Sequence, residues 1–330
     1  MTATSSERFP PRAVEPGAFV ISLDCEGKWG MADRIDAAID RRLSDDALRE
    51  SYRRLLALFR ELDMPVTFAF VSAFTLTSRE RTRYAEWFED VEVDGANWLR
   101  HFRRQEADGA QGWFLPDALR MVEDDGRHEI ASHGFAHVPI GAPGVGADVA
   151  RRELERARLV GRERGHLPRT YVYPRNLVAH RDVLAGAGFE AFRASRTTRG
   201  DGGTLRVATK EWNVFQRADP PPAVANGATA LPAGHFLNWR VGLRARIPAA
   251  VTTARWRNMI DDAARSGRVA HLWLHPHNLI DSPQTFASLT AIARHAATRR
   301  DQGRLRLLTQ AACYDRAAGS PPTARASASR

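Results

Sequence analysis

Residues 18–26 read Ala-Phe-Val-Ile-Ser-Leu-Asp-Cys-Glu, and the chain continues through Gly27 into Lys28, Trp29 and Gly30. The apolar run Ala18 to Leu23 suits a buried strand, and two carboxylates arrive just where it ends. Side chains alternate along an extended chain, so Asp24 and Glu26 can point to the same side. One acid could then bind a cation while the other takes a proton. Taken alone, an Asp and a Glu after a strand also read as turn and helix-cap residues.

The same grammar recurs down the chain. Candidate strands lie at residues 66–71, 129–132, 171–173, 191–194 and 269–274. Longer amphipathic stretches at 47–62, 116–123, 149–164, 181–187, 252–265 and 283–299 separate or follow them as candidate helices. Strands alternating with helices predict a parallel sheet with crossover connections, hence an α/β fold closed or nearly closed into a barrel. In such barrels the chemistry sits on loops beyond the C-terminal ends of the strands.

Three further polar turns obey that rule. The stretch His128-Glu129-Ile130-Ala131-Ser132-His133-Gly134-Phe135-Ala136-His137 delivers two histidines four residues apart. On a helical turn such a pair shares one face and can bind one metal ion through neutral nitrogens; a pair of packed, hydrogen-bonded histidines is the plainer alternative. The strand His271-Leu272-Trp273-Leu274 ends in His275-Pro276-His277-Asn278. Imidazole titrates near neutrality, so one of these histidines could protonate a leaving amine while the other supports it, and His271 reads as structural. Tyr171-Val172-Tyr173-Pro174 leads to Arg175 and Asn176, which could orient a carboxylate or bind substrate, or simply cap a surface turn. Four polar turns, each placed after a candidate strand, make a stronger case than any one of them.

Composition bounds the rest. A chain of 330 residues with 43% hydrophobic content can bury a large single core. The net charge of +9 and pI near 10.4 raise nucleic acid as a partner. Against this, Lys28 and Lys210 are the only lysines, and the arginines are scattered among acids, as in Arg151, Arg152, Glu153, Glu155 and Arg156. No basic stripe or nucleic-acid motif emerges. Two cysteines, Cys25 and Cys313, are too few for a disulfide framework. The first sixteen residues lack the apolar core of a secretory signal, and no stretch is apolar enough to span a bilayer, so a cytoplasmic protein without membrane insertion is expected. Residues 1–16 and 317–330 read as disordered tails around a barrel at 17–316, and residues 201–246 as an irregular insertion on its rim. Trp29, Trp98, Trp113, Trp212 and Trp239 could stack on sugar faces or serve in the core. Oligomeric state is not readable.

These motifs resemble those of the polysaccharide deacetylase, or NodB-homology, family. Glu129 to His137 is similar to its metal motif Gly-His-Glu-Ile-Gly-Ser-His-x-x-x-His, His275 to its catalytic histidine on a late leucine-rich strand, and Asp24 to its catalytic aspartate. The resemblance runs from about Ala18 to Asn278 in the family's order. It implies a distorted (β/α)7-type barrel, a single domain with a rim insertion, holding a divalent metal, most simply Zn²⁺. It also implies hydrolysis of an N-acyl group on an amino sugar or glycan precursor. Glu26, His133 and His137 are assigned as metal ligands, Asp24 as base, His275 as acid, and Arg175 as the residue holding Asp24 ionised. Cys25 separates two acids that stand adjacent in the family, so an exchange of roles between Asp24 and Glu26 stays open. The family's Arg-x-Pro-Tyr motif is replaced by Tyr-Pro-Arg-Asn, and no counterpart of its Asp-Trp motif is found. Hydrolysis of a non-sugar amide or imide on the same fold, or a carbohydrate-binding homologue without turnover, are the alternatives.

Overall fold

A computed structural model describes residues 15–106, 110–196, 212–240 and 242–319. Strand β1 (Gly17–Cys25) is buried along its whole length, as an apolar run flanked on both faces must be. Next in the chain come β2 (Thr67–Phe70), the small antiparallel pair β3 (Glu92–Val93) and β4 (Ala96–Asn97), then β5 (Glu129–Ser132), β6 (Thr170–Val172) and β7 (Ala191–Arg193). After these come β8 (Thr229–Leu231), β9 (His235–Phe236), β10 (Val269–Leu274) and β11 (Leu305–Leu308). All but β3 and β4 join one parallel sheet in the order β8-β7-β6-β5-β2-β1-β10-β9, with β11 added beside the start of β1. The sheet curls into a distorted (β/α) barrel whose seam lies between β8 and β9.

Helices Asp45–Glu61, Pro116–Asp125, Ala147–Glu163, Ala249–Ser266 and Pro283–Asp301 supply the outer layer. Asp45–Glu61 starts where the Ser44 hydroxyl accepts the Ala47 amide, and it buries Leu48, Tyr52, Leu55 and Phe59 at helical spacing. Leu23, Tyr52, Phe68 and Phe70 share the main core between helix and sheet. The barrel interior is different: Ala69, Ala131 and Val172 form a small apolar cluster of their own. Around them run polar columns. Glu129 accepts hydrogen bonds from Thr67, Thr170 and the Ala311 amide near the end of the barrel where β11 stops.

The expected strand at 129–132 and the strand at 269–274 match β5 and β10 residue for residue, and the six expected helices appear with ends shifted by a few residues. The segment 201–246 departs from its reading as an irregular insertion. It contributes β8 and β9, which pair with β7 and β10. These strands are three and two residues long, too short for a period to show in sequence. Strand β11 and helix Gln310–Ala317 also belong to the barrel and were not anticipated. Residues 1–14, 197–211 and 320–330, which carry most of the expected tails and part of the expected insertion, lie outside the described residues.

Candidate active site

Alternation along three strands aims the polar side chains into one end of the barrel. On β1, Ser22 and Asp24 face inward, and Glu26 follows just past the strand end. On β7, Arg193 does so, and on β10, His271 and Trp273 lead to His275. Register places Leu23 beside Leu274 and Val172 beside Arg193, which brings these strand ends to a common level. Asp24, Glu26, His133, His137, Arg175 and His275 all border a single cavity of about 170 Å³, with Trp239, Trp273 and Asn278 on its walls.

Glu26, His133 and His137 converge. The Glu26 Oε2 atom lies 2.9 Å from His137 Nε2 and 3.3 Å from His133 Nε2, and the two imidazole nitrogens are 3.1 Å apart. Tetrahedral metal bonds of about 2.0–2.2 Å separate neighbouring donors by roughly 3.4 Å, so these three atoms are arranged as one face of such a polyhedron. His133 Nδ1 lies 2.7 Å from the Val172 carbonyl, which fixes the tautomer with the proton on Nδ1 and leaves the Nε2 lone pair toward Glu26. Burial lowers the His137 pKa to about 4, partly offset by Glu26, so this imidazole stays neutral, the form that binds metal. Burial works to raise the Glu26 pKa, but His275 and His137 beside it hold it well below the ordinary carboxylate value. The donor set therefore fits a divalent cation.

The local backbone is built around this convergence. A Cβ on Gly30 would sit 1.9 Å from Glu26 Oε1, so only glycine leaves room for the carboxylate. His137 has φ of 57°, and Arg175 and Asn176 have φ of 56° and 55°, three non-glycine residues in the left-handed region at one site. Glu153, on the helix Ala147–Glu163, accepts the backbone amides of Phe135 and Ala136 and so ties down the loop between the two histidines.

Asp24 is held by Arg193, whose two terminal nitrogens reach its two oxygens at 2.6 and 2.7 Å. Burial pushes the Asp24 pKa up, and Arg193, with smaller help from His133 and His275, overcomes that and lowers it. Arg193 also donates to Ser22 and to Asn176, and its guanidinium lies over the Trp273 ring. Arg175 does not play this part. Its guanidinium pairs with Asp33 and lies over Trp98, because the left-handed turn at 175–176 carries it to the cavity rim. Arg193 was the residue missed; its signal was a charged side chain inside the short apolar strand Ala191-Phe192-Arg193, where burial demands a partner.

His275 stands 22% exposed at the cavity, its Nε2 3.4 Å from Glu26 and 3.9 Å from Asp24. Its Nδ1 and its backbone amide both meet Asn278 Oδ1, at 3.1 and 3.2 Å. A neutral amide three residues on thus orients the imidazole. His277 stacks on His275 from within the wall, and burial lowers its pKa to about 3. His271 bridges Ser22 and the Pro232 carbonyl deep in the barrel. Trp29, Trp98 and Trp113 are core residues, whereas Trp239 and Trp273 line the cavity.

The family described as polysaccharide deacetylase matches residues 44–190. The match spans 147 of the 330 residues. The matched part of this deacetylase homology carries His133 and His137; Asp24, Glu26, Arg193 and His275 flank it in sequence. Among solved structures, a candidate polysaccharide deacetylase from Mycobacterium smegmatis superposes with a TM-score of 0.62 at 17% identity, covering 98% of each chain. Puue allantoinase gives 0.61 at 13% identity over 96% of this chain and 100% of its own. A candidate polysaccharide deacetylase from Pseudomonas aeruginosa PAO1 gives 0.60 at 12% identity with the same coverage. At these identities the likeness establishes the fold. No curated protein matches the chain significantly in sequence. No helix among the described residues is long and apolar enough to cross a membrane.

Proposed function

We propose that the chain is a metal-dependent hydrolase that removes an N-acyl group, most simply acetyl, from an amino sugar or a sugar-containing intermediate of glycan metabolism. The observation that carries this reading is the convergence of Glu26, His133 and His137 within one cavity that also holds Asp24 and His275. Glu26, His133 and His137 would hold a divalent ion, most simply Zn²⁺. When bound, such an ion polarises a carbonyl and makes water a better nucleophile near neutral pH.

The remaining chemistry belongs to the side chains. Asp24, ionised beside Arg193, accepts a proton from the attacking water on a lone pair that Arg193 leaves free. His275 keeps its Nδ1 hydrogen on Asn278, so Nε2 is the nitrogen that gives a proton to the departing amine. Arg175 and Asn176, on the rim, contact the substrate rather than the base. Trp239 and Trp273 offer flat apolar faces for a sugar ring.

A second reading, hydrolysis of a non-sugar amide or imide, is favoured by the equal structural likeness to an allantoinase. The zinc-loaded protein is to be assayed on N-acetylated amino sugars and on allantoin. Acetate release from a sugar that is lost in Asp24→Asn supports the deacetylase; turnover of allantoin alone would replace it with the second reading. Undiminished turnover in Asp24→Asn would remove Asp24 as base.

A further inference from the structure

His277 borders the catalytic cavity from the turn Pro276–Leu279 that follows β10, and it is only 4% exposed. Its ring is held by packing. The imidazole stacks on that of His275 with centroids 4.8 Å apart, and the Trp239 ring meets it edge-on at 6.2 Å. Its nitrogens are another matter. The other cavity histidines each have a hydrogen-bond partner in the protein: His133 meets Val172, His137 meets His133, and His275 meets Asn278. Among the described residues neither ring nitrogen of His277 has one.

Buried polar groups nearly always find a partner, and one left unpaired is costly. The position of the nitrogen shows where that partner stands. One ring nitrogen of His277 lies within 4.8 Å of a Glu26 carboxylate oxygen and of a His275 nitrogen. It therefore opens on the reacting centre itself, within the cavity that holds Asp24 and Glu26. No hydrogen bond closes the gap, and an oxygen atom of a ligand can bridge it. His275 gives its proton to the departing amine, so a ligand atom between these two imidazoles lies on the leaving-group side of the amide. In an amino sugar the carbons on that side, next to the one bearing nitrogen, carry hydroxyls. A neutral imidazole offers one donor and one acceptor, and a hydroxyl can satisfy either.

We propose that His277 binds the substrate hydroxyl vicinal to the N-acyl group and so selects for it. The inference rests on the deacetylase reading and narrows the substrate class to N-acyl amino sugars with a free hydroxyl beside the amide. A site built to pair a hydroxyl rejects an analogue that lacks it, because its own polar atom is then left unpaired.

The test compares N-acetylglucosamine with its 1-deoxy and 3-deoxy analogues on the zinc-loaded protein, by acetate release and by calorimetric binding in the Asp24→Asn background. One of the two analogues is expected to lose tenfold or more in kcat/KM and in affinity, which also tells which hydroxyl is read. His277→Phe keeps a ring stacked on His275 and removes both nitrogens, and should shrink that discrimination to threefold or less; His277→Gln returns a hydrogen-bonding group and should restore part of it. Acetate release from all three sugars alike would overturn the assignment while leaving the deacetylase standing, a result that needs no variant to fold. Discrimination undiminished in His277→Phe would overturn it too, as would two zinc ions per parent chain against one in His277→Phe, which would give the nitrogen a metal instead. Hydroxyl-dependent binding that His277→Phe abolishes, without turnover of any sugar, would keep the assignment and remove the deacetylase. Neither binding nor turnover of any of the sugars would overturn both.

Discussion

The guanidinium of Arg193 meets both carboxylate oxygens of Asp24, at 2.6 and 2.7 Å, with both side chains buried inside the barrel. A paired charge in such a place is sustained by its partner, and losing one partner strands the other. Arg193→Met should cost about 3–5 kcal/mol in unfolding free energy. The double variant Asp24→Asn, Arg193→Met should cost less than the sum of the two single variants, because no lone charge remains. Additive costs in urea titrations would mean that the pair is not coupled.

Asn278 takes over the orienting task for His275. Asn278→Ala should lower kcat by about tenfold or more with KM nearly unchanged, since a misaligned acid impairs proton transfer rather than binding. Asn278→Asp keeps an acceptor at the same place and should recover most of the loss. A KM effect alone would assign Asn278 to substrate binding instead.

Glu153 supplies a pH dependence. Burial pushes its pKa up from 4.5 to about 7, against the pull of the Ala136 and Phe135 amides. Between these values the native protein holds a proton that the unfolded chain has released, so stability contributed at low pH is lost as pH rises toward and through 7. The shift corresponds to about 3 kcal/mol. Glu153→Gln keeps an acceptor for both amides and should be more stable relative to the parent at pH 8 than at pH 5. Parallel pH profiles for the two proteins would contradict the assignment.

Gly30 tests the carboxylate cradle. In Gly30→Ala the new methyl would meet the Glu26 carboxylate rather than the backbone, so the chain should fold and Glu26 should move. Metal affinity is expected to fall by about 10–100-fold, the range for disturbed support of a ligand. Unchanged affinity in a competitive zinc titration would place Glu26 outside the metal site.

The parts of this molecule legible in sequence are those where one local signal sufficed. An apolar strand that stops at a polar turn announced Asp24, Glu26, His133 and His275, and helical spacing announced the outer layer. The signals fail where a role depends on distant chain. Arg193 acts on Asp24 from 169 residues away, and Arg175, nearer the family's motif position, is turned to Asp33 by a left-handed backbone that its side chain does not reveal. Strands β8 and β9 exist because β7 and β10 offer them edges, so tertiary pairing, not periodicity, makes them strands. Asn278 stood in plain view within the His-Pro-His-Asn turn, but only the folded turn shows its oxygen on His275.

The most direct measurement is the metal content of the purified protein by elemental mass spectrometry, beside the double variant His133→Ala, His137→Ala. About one zinc or similar divalent ion per folded parent chain is expected, and none in a variant that still shows the parent's far-ultraviolet circular dichroism. A parent that neither carries nor takes up a divalent ion, or a folded variant that binds it equally well, would contradict the metal centre and the hydrolase built on it.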